Sequence, residues 1–284
     1  MYFRECLTPS GAEPIIEKTE RKVGMKVRRF IIFALMIILL GVFGYSLYQV
    51  LDITGEYKGG EDSYEALDQF ISMPEIHEDE TTATEEDEEE NETEVFDVQW
   101  PEVDFDALKQ VNSDVVGWIY IPGTEINYPI VQGEDNSYYL THLFNGQRNS
   151  SGCIFLDCYA EPKFTSHNSV LHGHHMRNES MFARICAYKD QSHYDAHPLG
   201  LLLTPDGNYV VQFFSGYVCK SDANAWDLDF TPEQYESWLA GLERKSAFRS
   251  EVVPTTEDRV LTLSTCTYEF KDARFVLHGI LTPV

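Results

Sequence analysis

RVLTLSTCTYEFKDARFVLHGIL, residues 259–281, decides how this chain is read. Two runs of branched and small residues flank a short polar loop. Side chains alternate across a strand with a period of two, so the first run puts Val260, Thr262, Ser264 and Cys266 on one face and Leu261, Leu263 and Thr265 on the other. Cys266 therefore ends its strand in the company of hydroxyls and opens onto the loop, where solvent and substrate can reach it. If the second run returns beside the first, Arg274 arrives at the same end of the sheet as Cys266. His278 lies inside the apolar second run and reads as a packed core histidine.

A thiol beside a guanidinium has a chemical use. The thiolate is the nucleophile, free cysteine titrates near about 8.5, and a permanent neighbouring cation raises the thiolate fraction. When a thiolate attacks an amide carbonyl, charge develops on the oxygen, and a planar donor aimed there stabilises the transition state more than the ground state. The departing amine needs a proton donor, usually histidine. The candidates lie in NSVLHGHHMRNESMF, residues 168–182, where an apolar strand gives way through Gly173 to a polar loop. His172 and His174 share one strand face and His175 points the other way; spacing alone does not choose among them. His193 and His197 are four apart, but without a local Glu or Cys at ligand spacing they do not point to a metal.

Working outward, VVGWIYIPG, INYPIVQG and GCIFLD read as strands separated by Gly, Pro and Asn turns, and HPLGLLLTPDGNYVVQFFSGYV as a hairpin around Asp206-Gly207. DFDALKQVNSD predicts a short helix with Phe105, Leu108 and Val111 inward, and SMFARICAYKD a second helix. TPEQYESWLAGLERKSAF predicts a third, with Thr231 as N-cap, Pro232 at the first helical position and Gln234 completing a capping box. Many short strands and few helices predict a mainly β fold, a closed or nearly closed barrel with helical insertions, over residues 98–284.

The rest of the chain is of different character. The formal net charge is −26, and residues 61–97 hold seventeen Asp or Glu and no Lys or Arg. Residues 52–97 read as an acidic disordered stalk, too poor in apolar groups to offset chain entropy by burial. From Val98 onward 24 acids face 13 Lys or Arg, with no basic stripe, which argues against nucleic acid as a partner. Phe30 to Leu51 run 22 residues without a formal charge, enough to cross about 30 Å of hydrocarbon as a helix. Arg21, Lys22, Lys26, Arg28 and Arg29 precede it, so residues 1–29 read as cytoplasmic, residues 30–51 as a single-pass transmembrane signal anchor, and residues 52–284 as extracellular. A cleaved signal peptide would have an apolar region of only about 7 to 15 residues and a small-residue cleavage site. Five cysteines, Cys153, Cys158, Cys186, Cys219 and Cys266, fall beyond the span, and an odd number leaves at least one thiol free or paired with another chain.

TLSTC, the arginine shortly after it, the distal GHHM run and DVVGWIYIPGTEINYPIVQGEDNSYYL together resemble the sortase family, in the wording of its class B members, over residues 100–284. The resemblance implies an eight-stranded β-barrel and a cysteine transpeptidase, without cofactor or metal, held on the outer face of a Gram-positive plasma membrane. It implies Cys266 as nucleophile, His174 as general acid and base, being the first His after Gly173, and Arg274 as the oxyanion or substrate-positioning residue. It puts the substrate groove on Asn136, Leu140, Ser221, Trp226 and Ser264. The partners implied are sorting-signal peptides of secreted proteins, cut after Thr through a thioester, and a cell-wall precursor or peptidoglycan amine. KSDANAW departs from the family in having Ala225 where an aromatic often sits. A pilus-type polymerase, a hydrolytic cysteine protease and a non-catalytic peptide-binding surface domain are the competing readings.

Overall fold

The structure, a computed structural model, describes residues 15–73 and 100–284. Contacts divide the chain into two units, Met1–Gly55 and Glu56–Val284. Helix α1, Ile15–Glu65, begins in the first unit. Its large apolar side chains from Phe30 to Ile53 are exposed, and it is the one helix among the described residues long and apolar enough to cross a membrane.

The second unit begins with the last turns of α1, which corrects part of the stalk reading. Tyr57, Tyr64, Leu67 and Ile71 recur at helical spacing and are drawn into the apolar clusters of the barrel. The Tyr64 hydroxyl donates to the Gly152 carbonyl at 2.6 Å and its ring meets Tyr128 edge-on at 5.3 Å. Strand β1, Ile71–Ser72, then pairs with β2, Glu102–Val103. Residues 56–72 are therefore folded, because a stripe of apolar residues outweighs the charge between them. The remaining stalk, 74–97, lies outside the described residues.

Helix α2, Phe105–Val111, starts at Asp104, whose side chain accepts the Ala107 N–H. Leu108 is fully buried, whereas Val111, expected inward, is exposed at the end of the helix. Eight strands then close a barrel: β3 (Val115–Tyr120), β4 (Asn127–Val131), β5 (Ile154–Leu156), β6 (Asn168–His172), β7 (Leu199–Thr204), β8 (Gly207–Lys220), β9 (Val260–Cys266) and β10 (Ala273–Pro283). Their order around the barrel is β10-β8-β7-β3-β4-β5-β6-β9, returning to β10. The β4–β5 and β6–β9 pairs are parallel and the rest antiparallel.

Period-two alternation sorts the side chains into an interior and an outer layer. Leu261 and Leu263 of β9 join Ile119, Ile130, Leu171, Leu202, Phe213, Phe275 and Leu277 inside. On the outer face of the same strand Val260 packs with Val276, Phe214 and the buried side of helix α4 (Pro232–Lys245), which contributes Tyr235, Trp238, Leu239 and Leu242. Helix α4 has the expected Thr231–Gln234 capping box. His278 is fully buried as expected, and its Nδ1 lies 2.8 Å from the Thr262 hydroxyl. Burial pushes its imidazole down to about 3, so it stays neutral in the native protein.

The SMFARICAYKD helix takes a tighter form. Residues Ala183–Lys189 are a 3₁₀ helix, followed by a short α3, Gln191–Ala196. The residues fully buried there are Phe182, Ile185 and Tyr188, a period of three that a 3₁₀ helix keeps on one face and an α-helix does not.

Candidate active site

The register of β9 and β10 settles the geometry that the opening stretch raised. Arg274 is the cross-strand partner of Cys266, and Thr267 N–H closes the connecting loop on the Ala273 carbonyl at 3.1 Å. Directly paired residues project to one face, so the two side chains leave the sheet together. On the other side β6 runs parallel to β9 with His172 opposite Ser264, and the chain continues through Gly173 to His174. Gly173 is fixed to β9 twice: its N–H donates to the Ser264 carbonyl at 3.1 Å, and its carbonyl accepts the Thr265 hydroxyl at 2.9 Å. The three ends meet around a cleft of about 430 Å³.

Cys266, His174 and Arg274 all line this cleft, and so do Asn136, Leu140, Ser221, Trp226 and Ser264. The sequence-derived set is thus gathered in one place, although its members play different local parts. The Ser264 hydroxyl is nearly buried and accepts the Trp226 indole N–H at 3.1 Å, so it anchors the aromatic wall. Ala225, where the sequence departs from the family pattern, faces away from the cleft and is fully buried in the layer under α4. Ser221 N–H donates to the carbonyl of Asp272, whose positive φ of 61° turns the loop back into β10 just before Arg274.

The histidines left open by spacing separate here. His174 Nε2 lies 2.7 Å from the Leu140 carbonyl. A carbonyl only accepts, so Nε2 carries the proton and Nδ1 is the nitrogen left to exchange one. His175 instead donates from Nδ1 to the Cys266 carbonyl at 2.8 Å and lies 3.6 Å from the Cys186 sulfur, outside the cleft lining. His172 bonds through Nε2 to Asp157 at 3.0 Å. Asp157 was not singled out from the sequence, where only its place as the polar terminus of GCIFLD marks it. Burial pushes its carboxyl up, but hydrogen bonds from His172, the Tyr159 amide and Asn136 and the His172 charge outweigh that, and the net is below the usual carboxylate range.

The five cysteines beyond the apolar segment are all free thiols. Burial pushes Cys153 up to about 12 and Cys219 to about 11, and burial first of all also raises Cys158 and Cys186, so these four are held as thiols at neutral pH. In the loop after Cys266, Glu269 pairs with Lys189 and accepts the Thr267 hydroxyl. Burial opposes its ionisation, but those bonds win and hold it at about 2. The native carboxyl is thus more acidic than the unfolded one, and the pair stabilises the protein above the ordinary carboxylate pKa and is lost as pH falls through about 2. We expect Tm to drop between pH 5 and pH 2 by less in Glu269→Gln than in the parent; equal drops in the two would rule out this pair as a source of acid sensitivity.

The chain and its fold are similar to those of known proteins. A family model described as the sortase domain matches residues 119–282. Sortase B of Staphylococcus aureus is 33% identical over 245 residues, covering 85% of this chain and 91% of that protein. Sortase B of Listeria monocytogenes is 36% identical over 178 residues, 61% of this chain and 72% of that one. Among solved structures, S. aureus sortase B superposes with a TM-score of 0.61 at 36% identity over 63% of this chain and 87% of that one. Bacillus anthracis sortase B in complex with AAEK1 gives 0.66 at 28% identity, over 82% of this chain and all of that one.

Proposed function

Since the chain belongs to the sortase family, as a class B member and hence a cysteine transpeptidase, we propose that it joins secreted proteins to a cell-wall amine from a membrane tether. Residues 30–51 are the tether, with the N-terminus cytoplasmic and the barrel outside, as the Arg and Lys before the apolar run favour. A tethered enzyme meets secreted substrates at the membrane, which raises their effective concentration.

The sorting peptide lies extended in the cleft between Asn136 and Leu140 on one wall and Ser221 and Trp226 on the other, over Ser264. The Cys266 thiolate attacks the carbonyl carbon of the peptide's Thr, and Arg274 faces the oxyanion that forms. His174, as imidazolium, gives its proton to the departing amine as the C–N bond breaks and the thioester remains. The acceptor amine then attacks the thioester carbon, His174 takes its proton, the new C–N bond forms and the Cys266 thiolate leaves. The observation that carries this reading is the single cleft shared by Cys266, His174 and Arg274, with Arg274 the cross-strand partner of Cys266. Among solved relatives, sortase B has been captured with a substrate and with triglycine, a peptide and an amine of the classes required here.

The test is incubation of the protein with a library of secreted-protein C-terminal peptides, with and without a triglycine amine, and mass analysis of the products. We expect cleavage after Thr, a mass adduct on Cys266 and, with amine present, a transpeptidation product at the expense of free acid. Free acid alone at a rate indifferent to amine identifies a hydrolase, and no cleavage of any peptide overturns the reading.

A further inference from the structure

The cleft contains a buried acid–imidazole pair that the transpeptidation steps do not use. Asp157 and His172 both line it, with side chains 11% and 22% exposed, and His172 Nε2 donates to Asp157 Oδ2 at 3.0 Å. The same oxygen accepts the Asn136 side-chain amide at 2.9 Å, while Asp157 Oδ1 accepts the Tyr159 N–H at 3.0 Å. The other end of Asn136 is equally committed, for its Oδ1 accepts the Cys158 N–H at 2.8 Å. An ionised carboxylate can only accept and a backbone N–H can only donate, so chemistry fixes which end of the amide is oxygen and which is nitrogen. A free asparagine amide flips readily between the two arrangements; this one is keyed at both ends.

Keyed this way, Asn136 has one amide N–H left, on a half-buried side chain in the cleft wall. The ring of His172 is itself held, 5.1 Å from Phe155 and across from Ser264, and the other ionisable groups that line the cleft are His174, Cys266 and Arg274. We propose that Asp157 and His172 are positioning residues that fix which end of the Asn136 amide is nitrogen, so that its remaining N–H is offered to a carbonyl acceptor of the sorting peptide at this wall. The inference rests on the peptide-cleaving reading above and names a feature of its substrate.

The test uses the full chain and a fluorogenic peptide of the sequence that the library selects. Asp157→Ala frees the amide to turn, and loss of about one hydrogen bond should raise KM about tenfold while kcat changes little. The decisive comparison is a double-mutant cycle: in an Asn136→Ala background the same Asp157→Ala change should add less than about twofold to KM, because the residue it positions is gone. A merely structural role for Asp157 would cost the same in both backgrounds and would lower kcat through Cys266. If Asp157→Ala does not fold, His172→Phe keeps a ring beside Phe155 and deletes only the donor, and a KM rise abolished by Asn136→Ala is again expected, whereas His172→Gln, which keeps a donor, should restore KM. An unchanged KM in Asp157→Ala, or equal costs in the two backgrounds, overturns this inference and leaves the transpeptidase reading standing; a parent chain that cleaves no peptide takes down both.

Discussion

Cys266→Ala forms no covalent adduct with a sorting peptide, and Arg274→Lys forms it about 10²-fold more slowly than the parent chain. The first outcome follows from the proposed chemistry, since an alanine methyl group offers no nucleophile and the other four thiols beyond the apolar segment are held protonated or lie elsewhere in the barrel. The second discriminates more sharply. Lysine keeps the charge, so any through-space effect on the thiolate fraction survives, but it loses the planar fork that can face a developing oxyanion. Removal of one such donor costs about 10² to 10³ in rate. Arg274 is well placed for that geometry to matter, because its register opposite Cys266 is set by seven consecutive β9–β10 pairs and its guanidinium also donates to the Ala273 carbonyl at 3.0 Å. Rapid-quench mass spectrometry on a peptide of the selected sequence reads both numbers. An adduct on Cys266→Ala would end the nucleophile assignment. An unslowed Arg274→Lys would reduce the arginine to a source of charge.

What could be read from residues alone, and what could not, divides along physical lines. The barrel was legible because strand side chains alternate between two faces, and β9 shows this most plainly, with Leu261 and Leu263 inside and Val260 outside under α4, both faces being buried. The capping box at Thr231 was legible because it is local. The segment 56–72 was misread because composition counts charges and ignores where the apolar residues fall: Tyr57 and Tyr64 on the last turns of α1, then Leu67 and Ile71 beyond its end, join the apolar clusters through an acidic run. Val111 and the 3₁₀ turn at 183–189 depend on which side of a short helix a neighbour happens to cover, and no spacing announces that. The choice among His172, His174 and His175 is tertiary in origin, since each ring is fixed by a different distant partner: Asp157, the Leu140 carbonyl and the Cys266 carbonyl. Asp157 escaped notice for the same reason; a strand-terminal aspartate acquires meaning only from the imidazole and amide brought to it.

The hinge between the two histidines of the cleft carries the last large effect. A Cβ added at Gly173 would lie 2.5 Å from Ile154 Cδ1 and 2.6 Å from Phe182 Cδ2, both belonging to fully buried side chains of the barrel interior. Neither neighbour has open space to retreat into, so the backbone must give. That backbone is tied to β9 by the two bonds to Ser264 and Thr265, and moving it carries His174 away from Cys266. Gly173→Ala should therefore lose about 1–3 kcal/mol of stability through overpacking, and, because displacing a reacting group by about 1 Å can cost 10²-fold, acylation should slow by about that factor even where the variant is fully folded. Gly279→Ala separates the two consequences. Its Cβ would meet Val211 Cγ1 at 2.6 Å, a comparable clash, but at the β10 bulge, among residues that do not line the cleft. It should lower Tm to a similar degree and leave the acylation rate of the folded protein close to that of the parent. If both variants lose stability and acylation in step, the rate loss at Gly173 is only unfolding, and the glycine has no special part in holding the imidazole to the thiol.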